Sequence, residues 1–226
     1  MKNTIKELEI RKNEATNLLI FLKYLNETFI PDVDCPYDST TVSTSIKANI
    51  IMMLYNAVES TVGNCLEKVH EKIKSEKLKY NDLSDELKKL IAVYYGYSIE
   101  KASDIDKTMD HVLKFADFVN GNIDFVISYS ELSEKHQLYS GNLDTREILN
   151  VLKKYGIVFE ERCTELKTIK DYRNKLAHGE ESFEEVGRTL TVQRLEALSN
   201  RTFEYLEKLI CAIDEYLNEE KFKRQI

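Results

Sequence analysis

The residues of this 226-residue sequence whose types and spacing suit chemistry lie in one run, Asp171-Tyr172-Arg173-Asn174-Lys175-Leu176-Ala177-His178-Gly179. An arginine can stabilise charge that builds on a phosphate, and a histidine can deliver a proton to a leaving group or take one from a nucleophile. Upstream, Phe159, Cys163, Leu166 and Ile169 recur at three- and four-residue steps, which predicts one buried stripe on a helix from about Val158 to His178. Arg173 lies seven residues after Leu166, within about 20° of it around the helix axis. The pattern therefore reserves for the core a position held by a guanidinium, which is costly to bury without partners. That points Arg173 into a crevice or a subunit interface where an anion can meet it.

His178 is five residues further on, about 140° around and roughly 7.5 Å along, and shares a face with Asp171, Asn174 and Lys175. Asn174 precedes His178 by four residues and is placed to orient the ring. Gly179 reads as the left-handed residue that ends the helix. Because Arg173 and His178 diverge within one chain, a compact site that uses both needs two copies of the run facing each other across a dimer. The bland alternative has Arg173 in a buried salt bridge to a glutamate of the last helix, with His178 merely closing the helix end.

Charge follows the same geography. The chain carries −7 overall, which argues against broad attraction to nucleic acid. Between Leu166 and Ala177, however, Lys167, Lys170, Arg173 and Lys175 stand against Asp171 alone, and Glu180, Glu181, Glu184 and Glu185 then reverse the sign. A small basic focus with an acidic rim suits capture of one phosphate, through Lys170 or Lys175, better than tracking along a duplex. Ordinary charge alternation on a solvated surface explains the same residues equally well.

Arg173-Asn174-Lys175-Leu176-Ala177-His178, an arginine and a polar residue followed by a histidine after four intervening positions, resembles the motif of the HEPN superfamily. The resemblance implies an all-α fold, a long-helix bundle that dimerises, with paired motifs forming a metal-independent endoribonuclease site. The order of predicted helices is similar to that of stand-alone HEPN proteins of prokaryotic toxin and defence systems. Such proteins cleave RNA by attack of a ribose 2′-hydroxyl on the adjacent phosphate, and the resemblance assigns catalysis to Arg173 and His178 with Asn174 and Asp171 in support. It implies no cofactor and no metal, an RNA substrate, a homodimer, and an antitoxin or neighbouring defence protein as partner. The alternative within the same family is an inactive helical interaction module of a larger complex. The likeness is strongest from about residue 145 onward, and residues 77 to 140 resemble an insertion within a single domain spanning 1–226. Relatives controlled by a nucleotidyltransferase carry a tyrosine two residues after the histidine; here that position is Glu180, so that form of regulation is not implied.

The rest of the sequence supplies the scaffold. Only two prolines and seven glycines occur, which leaves long segments free to be helical. The longest apolar runs, Leu18 to Leu22 and Ile50 to Tyr55, are too short to cross a bilayer, so a cytoplasmic protein with no membrane partner is expected. Cys35, Cys65, Cys163 and Cys211 are scattered without metal-ligand spacing and read as free thiols. Periodicity predicts a helix from Thr4 to about Phe29 with Ile5, Leu8, Ala15, Leu19, Leu22 and Phe29 inward. A turn-rich link with Pro31 and Pro36 follows, then a central helix from about Ser39 to Lys74, with His70 at its polar end reading as a surface histidine. Further helices are predicted near Asp85 to Tyr95 and from Asp106 to Val119, the latter with Met109, Val112, Leu113, Ala116 and Val119 inward. Ile123 to Tyr129 alternates weakly and suggests a short strand or extended edge, and Ser140-Gly141-Asn142 a turn. Asp144, Ser182 and Thr191 read as N-caps of a helix through Tyr155, a short turn ending at Gly187, and a last helix to about Leu217.

Overall fold

In a computed structural model, the residues described are 1–27, 39–125, 127–136, 138 and 142–225. Phe29, Pro31, Cys35, Pro36 and the Ser140-Gly141 turn lie outside them. The chain is all-α: α1 (Lys2–Glu27), α2 (Ser39–Ser75), a 3₁₀ turn (Tyr80–Asp82), α3 (Asp85–Glu100), α4 (Ile105–Val119), α5 (Tyr129–His136), α6 (Thr145–Lys154), α7 (Glu165–His178), α8 (Phe183–Arg188) and α9 (Val192–Asn218). Among the described residues no helix is long and apolar enough to cross a membrane.

The 37-residue α2 is the post around which the bundle is built, at about 1.5 Å per residue long enough to touch most other elements. Ile50, Ile51, Leu54, Ala57, Val58, Val62, Cys65, Leu66, Val69 and Ile73 bury nearly its whole length, because α1, α7, α8 and α9 pack around it. From α1 come Leu8, Ala15, Leu19 and Leu22; from α9, Leu195, Leu198, Phe203, Leu206, Ile210 and Ile213. Ile5, expected inward, is exposed. The short α8 lies so close to the start of α2 that a Cβ on Gly187 would sit 1.9 Å from the Thr44 carbonyl oxygen. Glycine is required there for the approach itself.

The helix caps read from sequence are present. Asp144 accepts from Glu147 N, Thr191 from Arg194 N, and Ser182 forms a reciprocal capping box with Glu185. Beyond α9 the chain doubles back: Phe222 is fully buried, its carbonyl accepts from Ser84 N, and Arg224 N donates to Asp82 O.

Four further expectations are corrected. The motif helix begins at Glu165, not near Val158, because α6 ends in a left-handed Gly156 and the next residues run without regular secondary structure. Cys163 is still buried and Phe159 half-buried, since Phe159 packs on the Tyr205 ring 5.3 Å away and both backbone groups of Cys163 bond to Thr145 Oγ1. The segment expected as a strand ends instead in α5, opened by Ser128 Oγ accepting from Glu131 N while the Glu131 carboxylate accepts from Ser128 N. The α4 helix turns its aromatic side inward, Phe115 and Phe118 against Tyr80 and Tyr95, and leaves Met109, Val112 and Leu113 exposed. Rings bury more area than aliphatic side chains, which decides the rotation.

The fourth correction is His70, which is 3% exposed. Its Nδ1 lies 2.8 Å from the Ile127 carbonyl, which can only accept, so Nδ1 carries the proton and Nε2 accepts from the Tyr155 hydroxyl at 2.9 Å. Phe125, Tyr129 and Tyr155 enclose the ring, and burial pushes its pKa down to about 4. This histidine ties α2 to the segment before α5 and to the end of α6.

Candidate active site

The α7 helix lies against α2 with Leu166, Ile169 and Leu176 buried, which fixes the direction of every other side chain on it. Its last residue is His178, and Gly179 at φ 69° closes it, with Gly179 N bonding back to Leu176 O and Glu180 N to Lys175 O. The left-handed cap turns the chain sharply toward α8, where Thr189 Oγ1 donates to the Tyr172 hydroxyl at 3.2 Å.

Arg173 enters the seam between α7 and α2, its side chain 18% exposed. Nη2 is 3.1 Å from Glu59 Oε1, Nη1 donates to Asn174 Oδ1 at 3.0 Å, and the guanidinium lies over the Tyr55 ring, 3.9 Å from its centroid. A guanidinium gripped at two edges and stacked on one face is held in a definite plane. Tyr55 is itself fixed, since its hydroxyl accepts from Leu143 N at 3.0 Å. Burial, helped by the Glu59 carboxylate and opposed by that N–H, pushes the phenol up to about 12, so it stays neutral.

Asn174, expected to orient the His178 ring, serves Arg173 instead, because its Oδ1 is taken by the neighbouring guanidinium. His178 is exposed and makes no side-chain hydrogen bond among the described residues; Asp171, also exposed, stands on the same outer face. Within one chain the two motif residues part company, Arg173 toward α2 and His178 toward solvent.

The basic focus is largely compensated inside the chain. Lys170 Nζ is 2.5 Å from Asp144 Oδ2, both side chains mostly buried. Burial alone would raise the Asp144 pKa, but the Lys170 ammonium and the Glu147 N–H hold it below its ordinary value. Lys175, at the surface, lies 2.5 Å from Glu181. The Lys170 pair joins the motif helix to the start of α6, one residue from Leu143, which holds Tyr55, and one from Thr145, which holds Cys163.

Tyr55 and Glu59 escaped the sequence reading. They stand one turn apart on the long central helix, and a carboxylate four residues after a tyrosine in its apolar run is the signal that marks them. Cys65, Cys163 and Cys211 are free thiols, and among the described residues no group of three or more His, Cys, Asp or Glu side chains is arranged to hold a metal ion.

Comparison with known proteins adds one match: the family model described as HEPN_MAE_28990-like HEPN covers residues 1–222. No curated protein and no solved structure matches the chain.

Proposed function

Since this chain belongs to the HEPN superfamily, we propose that it is an endoribonuclease of the toxin or defence type that works without a metal ion, as a homodimer. Two copies pool their motif helices in a groove where a looped or single-stranded RNA lies, a target that suits an acidic protein better than a long duplex. The ribose 2′-hydroxyl attacks the adjacent phosphorus, the bond from phosphorus to the 5′-oxygen breaks, and the products are a 2′,3′-cyclic phosphate and a 5′-hydroxyl. His178 of one copy takes the 2′-hydroxyl proton while the histidine of the other gives one to the leaving oxygen, together worth roughly 10² to 10⁴ in rate. Arg173 stabilises the negative charge on the phosphate, Asn174 keeps the guanidinium in plane, Asp171 supports the outer face, and Lys175 meets a flanking phosphate.

The observation that carries this reading is the fixed plane of Arg173, held by Asn174, Glu59 and Tyr55, one turn and a half before a solvent-facing His178. Preorganised charge of this kind is what a phosphoryl transition state needs, since nothing has to reorganise at the moment of reaction. The same pairing with Glu59 favours a second reading, an inactive HEPN-type interaction module in which Arg173 only joins two helices.

Incubating the purified protein with total RNA in the presence of a chelator separates the two. Cleavage leaving cyclic-phosphate ends, lost in His178→Ala at equal folded concentration, supports the nuclease. Intact RNA under all conditions, with both proteins equally tolerated when expressed in cells, supports the module, and cleavage abolished by the chelator contradicts the mechanism.

A further inference from the structure

The α4 helix carries two apolar faces. One is consumed: Phe115 packs on Tyr95 and Tyr80 with ring centroids 5.0 and 6.3 Å apart, and Phe118 on Tyr80 at 5.5 Å, so the helix is fixed in rotation. On the opposite side Ile105, Met109, Val112 and Leu113, at the helical steps of a single stripe about 100° wide, are 72%, 53%, 39% and 62% exposed. Helix α4 packs mainly on α3, and among the described residues nothing covers the stripe. Along its outer border Asp106, Asp110 and Asp117 fall within about 40° of one another around the axis. None of the three has a cationic partner among the described residues.

An aliphatic stripe with a carboxylate row on one border has a definite complement. We propose that the outer face of α4 is a docking surface for a basic amphipathic helix of a partner protein, whose apolar residues cover Ile105, Met109, Val112 and Leu113 while its lysines or arginines meet the aspartates. Helix-on-helix recognition of this kind reads anchors at three- and four-residue steps. The aspartate row decides against other occupants. An anionic lipid surface is repelled by it, and a second copy docked antiparallel sets the row against itself, since like flanks face each other in antiparallel pairs. The surface is distinct from the Arg173 and His178 face and does not depend on whether that face cleaves RNA.

The test uses the full chain and two synthetic helical peptides, one of leucine and lysine in amphipathic register and its leucine–glutamate counterpart. Fluorescence anisotropy measures binding, and hydrogen exchange locates it. The lysine peptide is expected to bind, to protect amides between 105 and 119, and to weaken as salt rises. A Met109→Ser/Leu113→Ser double variant should bind about tenfold more weakly. An Asp106→Asn/Asp110→Asn/Asp117→Asn triple variant should also lose much of the salt dependence. All five positions are solvent-facing, so the variants keep the fold. Equal binding of the glutamate peptide, protection outside α4, or affinity indifferent to both variants overturns the proposal. So does capture by anionic vesicles through α4, or a change of oligomeric state in the double variant that identifies a second copy as the occupant.

Discussion

Arg173 of the motif helix and Glu59 of the central helix meet at 3.1 Å although 114 residues separate them in the chain. The contact is partly open, the two side chains 18% and 37% exposed, so it orients more than it stabilises. Glu59→Gln is therefore expected to leave the melting temperature within a few degrees of wild type while lowering RNA cleavage about tenfold, through a guanidinium no longer held in plane. Arg173→Lys, which keeps the charge but loses the fork and the stacking on Tyr55, should cost roughly 10² or more. Single-turnover cleavage assays beside thermal melts check both; Glu59→Gln with full activity would leave the contact without a catalytic role.

His178 and Lys170 should behave oppositely. His178→Ala removes an exposed side chain, so melting is unchanged while cleavage falls roughly 10² to 10⁴. Lys170→Met leaves the mostly buried Asp144 carboxylate unpaired beside the motif helix, and stability should drop by about 2 kcal/mol in urea titrations. An unchanged urea midpoint in Lys170→Met would remove its structural role.

Acid should destabilise the protein through His70. Burial depresses its pKa in the folded state to about 4 against an ordinary 6.5. Between those values the unfolded chain binds a proton that the folded chain does not, so stability is complete above about pH 6.5, declines as pH falls, and levels off near pH 4. The full loss from this group is roughly 3 kcal/mol. His70→Gln should be less stable than wild type at pH 7.5 and lose less on acidification, and a constant difference across urea titrations from pH 7.5 to 4.5 would contradict this.

Gly187→Ala tests the approach of α8 to α2. Helix propensity alone predicts a gain of about 1 kcal/mol. The Thr44 carbonyl at 1.9 Å from the new methyl reverses the sign, and a loss of about 3 kcal/mol is expected in chemical denaturation. Stabilisation by alanine would mean the two helices can separate without penalty.

The helices were legible where one face alone is apolar, as in α9, and where a cap residue announces a start, as at Asp144, Ser182 and Thr191. The pattern misled where burial has another cause. Phe159 and Cys163 continue the period of α7 but pack from a segment without regular secondary structure, and α4 has two apolar faces between which periodicity cannot choose. The Ser128-x-x-Glu131 capping box is the sequence signal that opens α5, and it outweighs the weak alternation before it. At the site, Arg173 and Gly179 stand in one short run and could be read locally, whereas Asn174, expected to orient the His178 ring, turns to Arg173. The seat of Arg173 could not, because Tyr55 and Glu59 reach it only through tertiary packing of two distant helices.

Leu143, Asp144 and Thr145 each grip a different part of the scaffold around the motif: the Tyr55 hydroxyl, the Lys170 ammonium and the Cys163 backbone. Three adjacent residues thereby act as a single rivet through the central helix, the motif helix and the strand of chain that enters it. A substitution that displaces those three residues would disturb the ring beneath the guanidinium and the entry to its helix together.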